Sequence, residues 1–343
     1  MIRVVVAEDL PTARQLVVAL LESDPEIEVV GEAADGVEAV ELTRRLQPDL
    51  VTMDILMPRR DGFEATRRIM AERPTPIVIV SSLDVQEVDF AMSALQAGAL
   101  AALPKPRGPG SPGFEEDSRR LLATVKAMSK VTLFQRRAQP EAAPAPSPAP
   151  PRLRGAVQVR VVAMAGSAGG PAAFKEILSR MPADYRPAIL LVQHIALGFS
   201  EGFARWLDSA SPLRIKVAQQ GEPLAAATVY VAPDDRHLGL AAGGAAIELS
   251  DEAPVEGFRP AASYLFKSVA ERLGPFAAAV ILSGAGRDGA EGLKVARQAG
   301  CFVIAQDEAT SLVFGMPGAA IEAGVVDEVL PLPAVAERLE DLG

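Results

Sequence analysis

The chain has 343 residues, room for two domains with separate cores, and 49% of its residues are hydrophobic. Its formal charge is −10, from 34 Lys and Arg against 44 Asp and Glu, and no strongly basic segment offsets it, which argues against nucleic acid as a partner. A single cysteine rules out disulfides and cysteine-rich metal sites within the chain.

From the N-terminus, strand-like runs occur at Ile2–Ala7, Glu28–Gly31, Leu50–Met53, Pro76–Val80 and Ala99–Leu103. Helical patterns lie between them, as at Ala13–Leu21 and Val37–Leu46. Five strands alternating with helices predict a parallel sheet wound on both faces. Glu8 and Asp9 end the first strand, Asp54 ends the third and Lys105 follows the fifth, so all four converge on one sheet edge. Three close carboxylates repel one another unless a hard cation lies among them, and oxygen ligands with open positions suit Mg²⁺.

Residues 139–151 are rich in proline and alanine, without periodicity or bulky apolar side chains. Such a stretch cannot bury enough surface to fold and is expected to act as an extended spacer. The boundaries are therefore set at 1–125 for a first domain, 126–156 for a helix end and linker, and 157–343 for a second domain.

In the second domain, Ser167 follows the apolar run Val159–Gly166 and His194 ends the run Ala188–Gln193. Asp288 follows Ala277–Ser283 after a short Gly-rich turn. A serine, a histidine and an aspartate past three buried strands would meet at the carboxyl edge of a parallel sheet, where ligands bind in open α/β folds. Gly166-Ser167-Ala168-Gly169-Gly170, between strand and helix, has two readings: a phosphate cradle at a helix N-terminus, or a turn that exposes a nucleophilic serine. No Lys-Ser/Thr ending or G-x-G-x-x-G spacing supports the first, and His194 favours the second. A hydrolase needs a base for the serine, an acid to orient the base and backbone N–H groups for the oxyanion. His194, Asp288, and the N–H groups near Ala168 and Ala285 are the candidates, with Asp307 as alternative acid.

His237 is expected to be a surface or satisfied loop histidine. Trp206, Phe199 and Phe203 have the spacing of core residues, and Cys301 reads as a small buried hydrophobe. Leu213–Ala218 and Thr228–Ala232 look antiparallel. With a hairpin near Ala241–Gly244, they predict a mainly parallel sheet with the hairpin added at one edge.

Met57-Pro58, Asp61-Gly62, Ser81-Ser82 and Lys105-Pro106, beside the acid cluster, give the first 125 residues a resemblance to response-regulator receiver domains. That resemblance implies a flavodoxin-like fold, Asp54 as phosphoacceptor, Glu8 and Asp9 as Mg²⁺ ligands with Asp54, Lys105 as the phosphoryl contact and Ser81 as the switch hydroxyl. Ala102 departs from it, standing where many receivers place an aromatic ring. The second domain resembles the CheB protein-glutamate methylesterase family in Gly166–Gly170, Gln193-His194, Arg236-His237, Leu282–Gly289, Ile304–Ser311 and Phe314–Pro317. Departures are Ala168 for a common threonine, Ala285 for a common methionine, and a changed Arg259–Ser263 stretch.

The resemblance implies a cytoplasmic, phosphorylation-regulated serine hydrolase without an esterase-site cofactor. It would demethylate glutamyl esters on chemoreceptor cytoplasmic helices, deamidate receptor glutamines, and take its phosphoryl group from a CheA-type histidine kinase. The unphosphorylated receiver is expected to occlude the esterase site, and a monomer suffices. No apolar run approaches the roughly 20 residues of a membrane helix, and the charged start is not a signal peptide. The competing expectations are the same chemistry on a non-chemotaxis signalling protein, and a non-catalytic phospho-regulated docking protein.

Overall fold

The computed structural model describes residues 1–59, 61–82, 85–133 and 158–343. The expected spacer at 139–151 lies outside the described residues. In the N-terminal part, β1 (Ile2–Ala7), α1 (Pro11–Glu22), β2 (Ile27–Ala33), α2 (Gly36–Leu46) and β3 (Leu50–Met53) come first. They are followed by α3 (Gly62–Glu72), β4 (Ile77–Ser81), α4 (Val85–Gln96), β5 (Ala101–Pro104) and α5 (Phe114–Met128). All pairings are parallel, in the order β2-β1-β3-β4-β5. The order reverses at β1, so the ends of β1 and β3 border the crevice where such sheets bind ligands.

Alternation sets the core. Val4, Val6, Leu50, Val78, Val80 and Leu103 share one sheet face and pack with Val17, Leu21, Leu121 and Val125 from α1 and α5. Helix starts follow from capping: the Asp35 carboxylate accepts from Val37 N (2.7 Å) and Glu38 N (3.0 Å) ahead of α2. Asp61 accepts from Glu64 N (2.8 Å) ahead of α3.

The C-terminal part opens with β6 (Val161–Gly166), α6 (Gly170–Leu178), β7 (Ala188–Gln193), α7 (Ser200–Asp208), β8 (Arg214–Val217) and β9 (Thr228–Val231). It continues with β10 (His237–Leu240), β11 (Ile247–Ser250), α8 (Ala262–Leu273), β12 (Ala277–Ile281) and α9 (Ala290–Gln298). It closes with β13 (Phe302–Gln306), α10 (Met316–Glu322), β14 (Glu328–Leu330) and α11 (Leu332–Leu342). Seven strands run parallel in the order β14-β13-β12-β6-β7-β9-β8.

The structure differs from the sequence-based expectation in two places. Leu213–Ala218 and Thr228–Ala232 form β8 and β9, which pair in parallel with each other, as β9 does with β7. Their connection leaves the sheet and pairs with the chain around β11: Gly221 N donates to Ile247 O (3.0 Å) and Leu224 N to Ala245 O (2.9 Å). That detour lets β9 start at the same end as β8. The antiparallel hairpin β10–β11 is a separate two-stranded sheet and does not extend the seven-stranded edge. Its alternating Leu238, Leu240, Ile247 and Leu249 join Val269, Phe266 and the strand residues Ala163, Leu190 and Val192 in one core. The hairpin thus packs by its apolar face. Among the described residues no helix is long and apolar enough to cross a membrane.

Candidate functional sites

The acid cluster forms as expected. Glu8 and Asp54 are each 2% exposed, and the carboxylate oxygens of Glu8, Asp9 and Asp54 lie within 4.8 Å of one another. Lys105 Nζ sits 3.0 Å from Asp54 Oδ2 and 3.0 Å from Glu8 Oε2. Asp54 Oδ1 accepts from Ile55 N at 2.7 Å, which fixes the rotamer. Burial, and then the charge of Glu8, push the Asp54 carboxyl up to about 7, although Lys105 and the Ile55 N–H pull it down. One ammonium cannot neutralise three clustered carboxylates. The all-oxygen donor set and the excess negative charge therefore fit a hard divalent cation such as Mg²⁺.

Ser81 ends β4 at the same sheet edge. It is fully buried, and its hydroxyl donates to Ser82 O (3.0 Å), while its carbonyl accepts from Lys105 N (2.8 Å). Gly62 lies against the phosphoacceptor candidate, where any Cβ would collide with the Asp54 carbonyl. Its N–H donates to Ile55 O (2.8 Å) and folds the loop after β3 back on itself.

In the C-terminal sheet β6 is flanked by β12 and β7. Ile281 pairs with Ala165, Ala165 with Val192, and Gly166 with Gln193. One residue further along the last pair stand Ser167 and His194, on strands about 4.8 Å apart. Both are half-buried. The Ser167 carbonyl accepts from Gly170 N (2.8 Å), and Gly169 takes φ +82°, so the chain turns tightly into α6. Ala168 is 2% exposed.

Asp288 lies past the end of β12, in the turn before α9, and is 1% exposed. Its Oδ2 accepts from Ala262 N (2.7 Å) and its Oδ1 from Ser263 N (2.9 Å), two orphan donors at the start of α8. Ser263 Oγ in turn accepts from Gly289 N (2.8 Å), closing a reciprocal clasp. A carboxylate held by two helix N-terminal donors has a fixed direction.

The Gly-rich turn carrying Ala285 is anchored from outside. Ser283 N donates to Gln306 Oε1 (2.8 Å), and Ser283 Oγ accepts from Val313 N (3.0 Å). Gly284 O accepts from both Gly315 N (3.0 Å) and Met316 N (2.9 Å). A Cβ on Gly315 would meet Gly284 O at 2.7 Å and Gly286 N at 2.9 Å, so the close approach requires glycine. Sequence reasoning missed Ser263, Ser283 and Gln306. Ser283 and Gln306 are polar residues at the ends of buried strands, and Ser263 is a polar residue in the first turn of α8, a pattern that gives no partner for any of them.

Asp307 is occupied locally: its Oδ1 accepts from Thr310 N (3.0 Å) and Thr310 Oγ1 (2.6 Å), capping its own turn. It follows β13, which does not border β6. His237 is not on the surface; it is fully buried, with both ring nitrogens engaged, as a satisfied histidine should be. Phe199, Phe203 and Trp206 are buried, with Phe203 edge-on to Phe174 and stacked on Trp206. Cys301 is 1% exposed, and burial pushes its thiol up to about 11.

Comparisons with known proteins agree with both halves. The model of the CheB methylesterase family matches residues 162–339, and that of the response regulator receiver domain matches residues 4–111. The chain is 60% identical over 341 residues to protein-glutamate methylesterase/protein-glutamine glutaminase 3 of Anaeromyxobacter dehalogenans, spanning 99% of this chain and 98% of that protein. It is 55% identical to protein-glutamate methylesterase/protein-glutamine glutaminase 4 of Myxococcus xanthus, spanning 98% and 96%. The solved CheB methylesterase catalytic domain of Thermotoga maritima matches with 38% identity and a TM-score of 0.53, covering 55% of this chain and all of that one. The chain therefore belongs to the CheB methylesterase family, in the form that carries a response-regulator receiver domain ahead of the catalytic domain.

Proposed function

We propose that the chain is a phosphorylation-regulated serine hydrolase that removes methyl esters from glutamate residues of chemoreceptor cytoplasmic helices and deamidates receptor glutamines. The observation that carries the reading is the register that brings Ser167 and His194 to neighbouring positions at the ends of β6 and β7. The buried Asp288 carboxylate follows the other flanking strand.

In this reading Ser167 Oγ attacks the ester carbonyl while His194 takes its proton. The tetrahedral oxyanion is held by the backbone N–H groups of Ala168 and Ala285, each donor of this kind being worth roughly 3 kcal/mol of barrier. Collapse breaks the C–O bond, and His194 returns the proton to the departing methoxide as methanol. Water then cleaves the acyl-serine by the same base, freeing the glutamate side chain. With a glutamine side chain the leaving group is ammonia. Asp288 orients His194 and balances the imidazolium, and the esterase site uses no cofactor.

In the receiver, Glu8, Asp9 and Asp54 would hold Mg²⁺, which would supply charge neutralisation for the incoming phosphoryl group. Asp54 accepts that group from a CheA-type histidine kinase, Lys105 contacts its oxygens, and Ser81 turns from Ser82 O toward it. With Ala102 in place of a ring, coupling runs through the Ser81 side. The unphosphorylated receiver restrains the esterase, and the protein works as a cytoplasmic monomer, with domains at 1–125 and 157–343 joined by the 126–156 segment. The test is methanol release from a methylated receptor fragment with Mg²⁺ and a small-molecule phosphodonor. Wild type accelerates on adding the donor, whereas Asp54→Asn stays at its basal rate; equal acceleration in both would overturn the regulatory assignment.

A further inference from the structure

Three successive backbone N–H groups open α8. Ala262 and Ser263 hold the two oxygens of Asp288. The one before them, Ala261 N–H, donates to His237 Nδ1 at 3.3 Å. Because Nδ1 accepts there, the proton of the neutral ring sits on Nε2, which donates to Ala253 O at 3.2 Å. The ring is fully buried and stacks on Tyr264 of α8, with centroids 4.4 Å apart and planes 14° apart. Both nitrogens and one face are committed, and each partner lies on α8 or on the segment leading into it.

His237 itself opens β10, so the hairpin and the helix are joined at this ring. A second tie runs parallel to it: Leu240 N donates to Ser268 Oγ at 3.0 Å. Arg259 Nη1 also holds the lead-in segment, through Asp251 O (3.1 Å) and Glu252 O (3.2 Å). The entry of α8 is thus fixed by polar bonds on the hairpin side, while the N–H groups of its first two residues hold the carboxylate of Asp288.

From this chain of contacts we infer that His237 is a positioning residue for the esterase, acting through Ala261 and the α8 N-terminus to set the direction of the Asp288 carboxylate. The inference rests on the assignment of Asp288 as the orienting acid. His237 touches no reacting atom. Its acceptor nitrogen prevents an orphan Ala261 N–H from pulling the first turn of α8 toward another partner. Catalytic geometry tolerates little drift, since a displacement of about 1 Å costs on the order of 100-fold in rate.

The test uses full-length protein and three substitutions with different hydrogen-bonding reach. In His237→Asn the amide oxygen falls where Nδ1 was and keeps an acceptor for Ala261. In His237→Gln the longer amide reaches toward Ala253 and leaves Ala261 without one. His237→Leu removes both bonds. Methanol release should show kcat lowered about 10- to 100-fold in His237→Gln and His237→Leu, with KM unchanged and with kcat substantially restored in His237→Asn.

The same substitutions are then made on Asp288→Asn. The inference expects His237→Leu to add no further loss there, because the group it orients is already compromised. Independent, multiplicative losses would overturn it, as would a kcat that follows melting temperature across the three variants without regard to the Nδ1-side acceptor. If Asp288→Asn alone leaves methanol release unchanged, the assignment of Asp288 falls and the role of His237 falls with it. If Asp288→Asn is impaired and the His237 losses multiply, only the inference about His237 fails.

Discussion

Asp288 is assigned both a structural and a chemical duty, and substitution separates them. Asp288→Ala leaves the N–H groups of Ala262 and Ser263, held at 2.7 and 2.9 Å, without their acceptors in a site where Asp288 is 1% exposed. Each orphaned buried donor costs about 1–3 kcal/mol, and loss of a helix cap about 0.5–2 kcal/mol. These overlap, so the net cost is about 2–4 kcal/mol. For a domain of about 150–250 residues that lowers the melting temperature by roughly 5–15 °C. Asp288→Asn keeps the shape and one acceptor, and costs about 1–2 kcal/mol.

Typical domains are stable by about 5–15 kcal/mol, so both variants stay largely folded at 25 °C. Loss of the orienting carboxylate costs up to about 10⁴-fold in kcat in a triad of this type. Circular dichroism melts and methanol release on the same samples therefore give different scales: a modest thermal shift for Asn and a loss of activity far larger than its unfolded fraction. Activity that follows the folded fraction in both variants would refute the catalytic assignment and leave Asp288 as a helix cap.

Asp54 gives a pH-dependent outcome. Its folded value of about 7 lies above the ordinary 3.8, so protonation favours the fold. Its contribution is fully present below about pH 4 and is lost as pH rises through about 7. Without divalent cation, Asp54→Asn should melt higher than wild type at pH 8, and adding Mg²⁺ should raise wild type more than the variant; a lower melt for Asn would contradict the repulsion. Gly315→Ala, which pushes a methyl against Gly284 O and Gly286 N, should cost about 1–3 kcal/mol and reduce kcat through the turn carrying Ala285; wild-type kinetics would remove that turn from the oxyanion site. Deleting residues 1–150 should raise basal methanol release by about 5- to 150-fold, and an unchanged or lower rate would sink restraint by the receiver.

The sequence made the two sheets legible because buried parallel strands read as short apolar runs ending at Gly, Pro or charge, as at Val161–Gly166 and Ala188–Gln193. The reactive residues stood out because each follows such a run. Strand direction was less legible. β8 and β9 are short neighbouring strands that the apolar pattern alone could pair either way; their register shows that they run parallel, with a long connection that leaves the sheet and pairs beside β11. The hairpin's packing was hidden because alternation in Leu238–Leu240 gives a buried face without saying which surface covers it. The tie made by His237 is hidden for a similar reason. The sequence places it after a strand and a Pro-Asp-Asp turn, whereas its partners Ala253, Ala261 and Tyr264 are set only by tertiary structure.

The central claim is that Ser167 forms a bond to the substrate acyl group. Its direct measurement is methanol release from a methylated receptor fragment by wild type and Ser167→Ala, each with and without a phosphodonor. Wild type should release methanol at a rate that rises with the phosphodonor, and Ser167→Ala should release none in either condition, with Asp54 still phosphorylated and the melting temperature essentially unchanged. Methanol release by Ser167→Ala at the wild-type rate would contradict that claim.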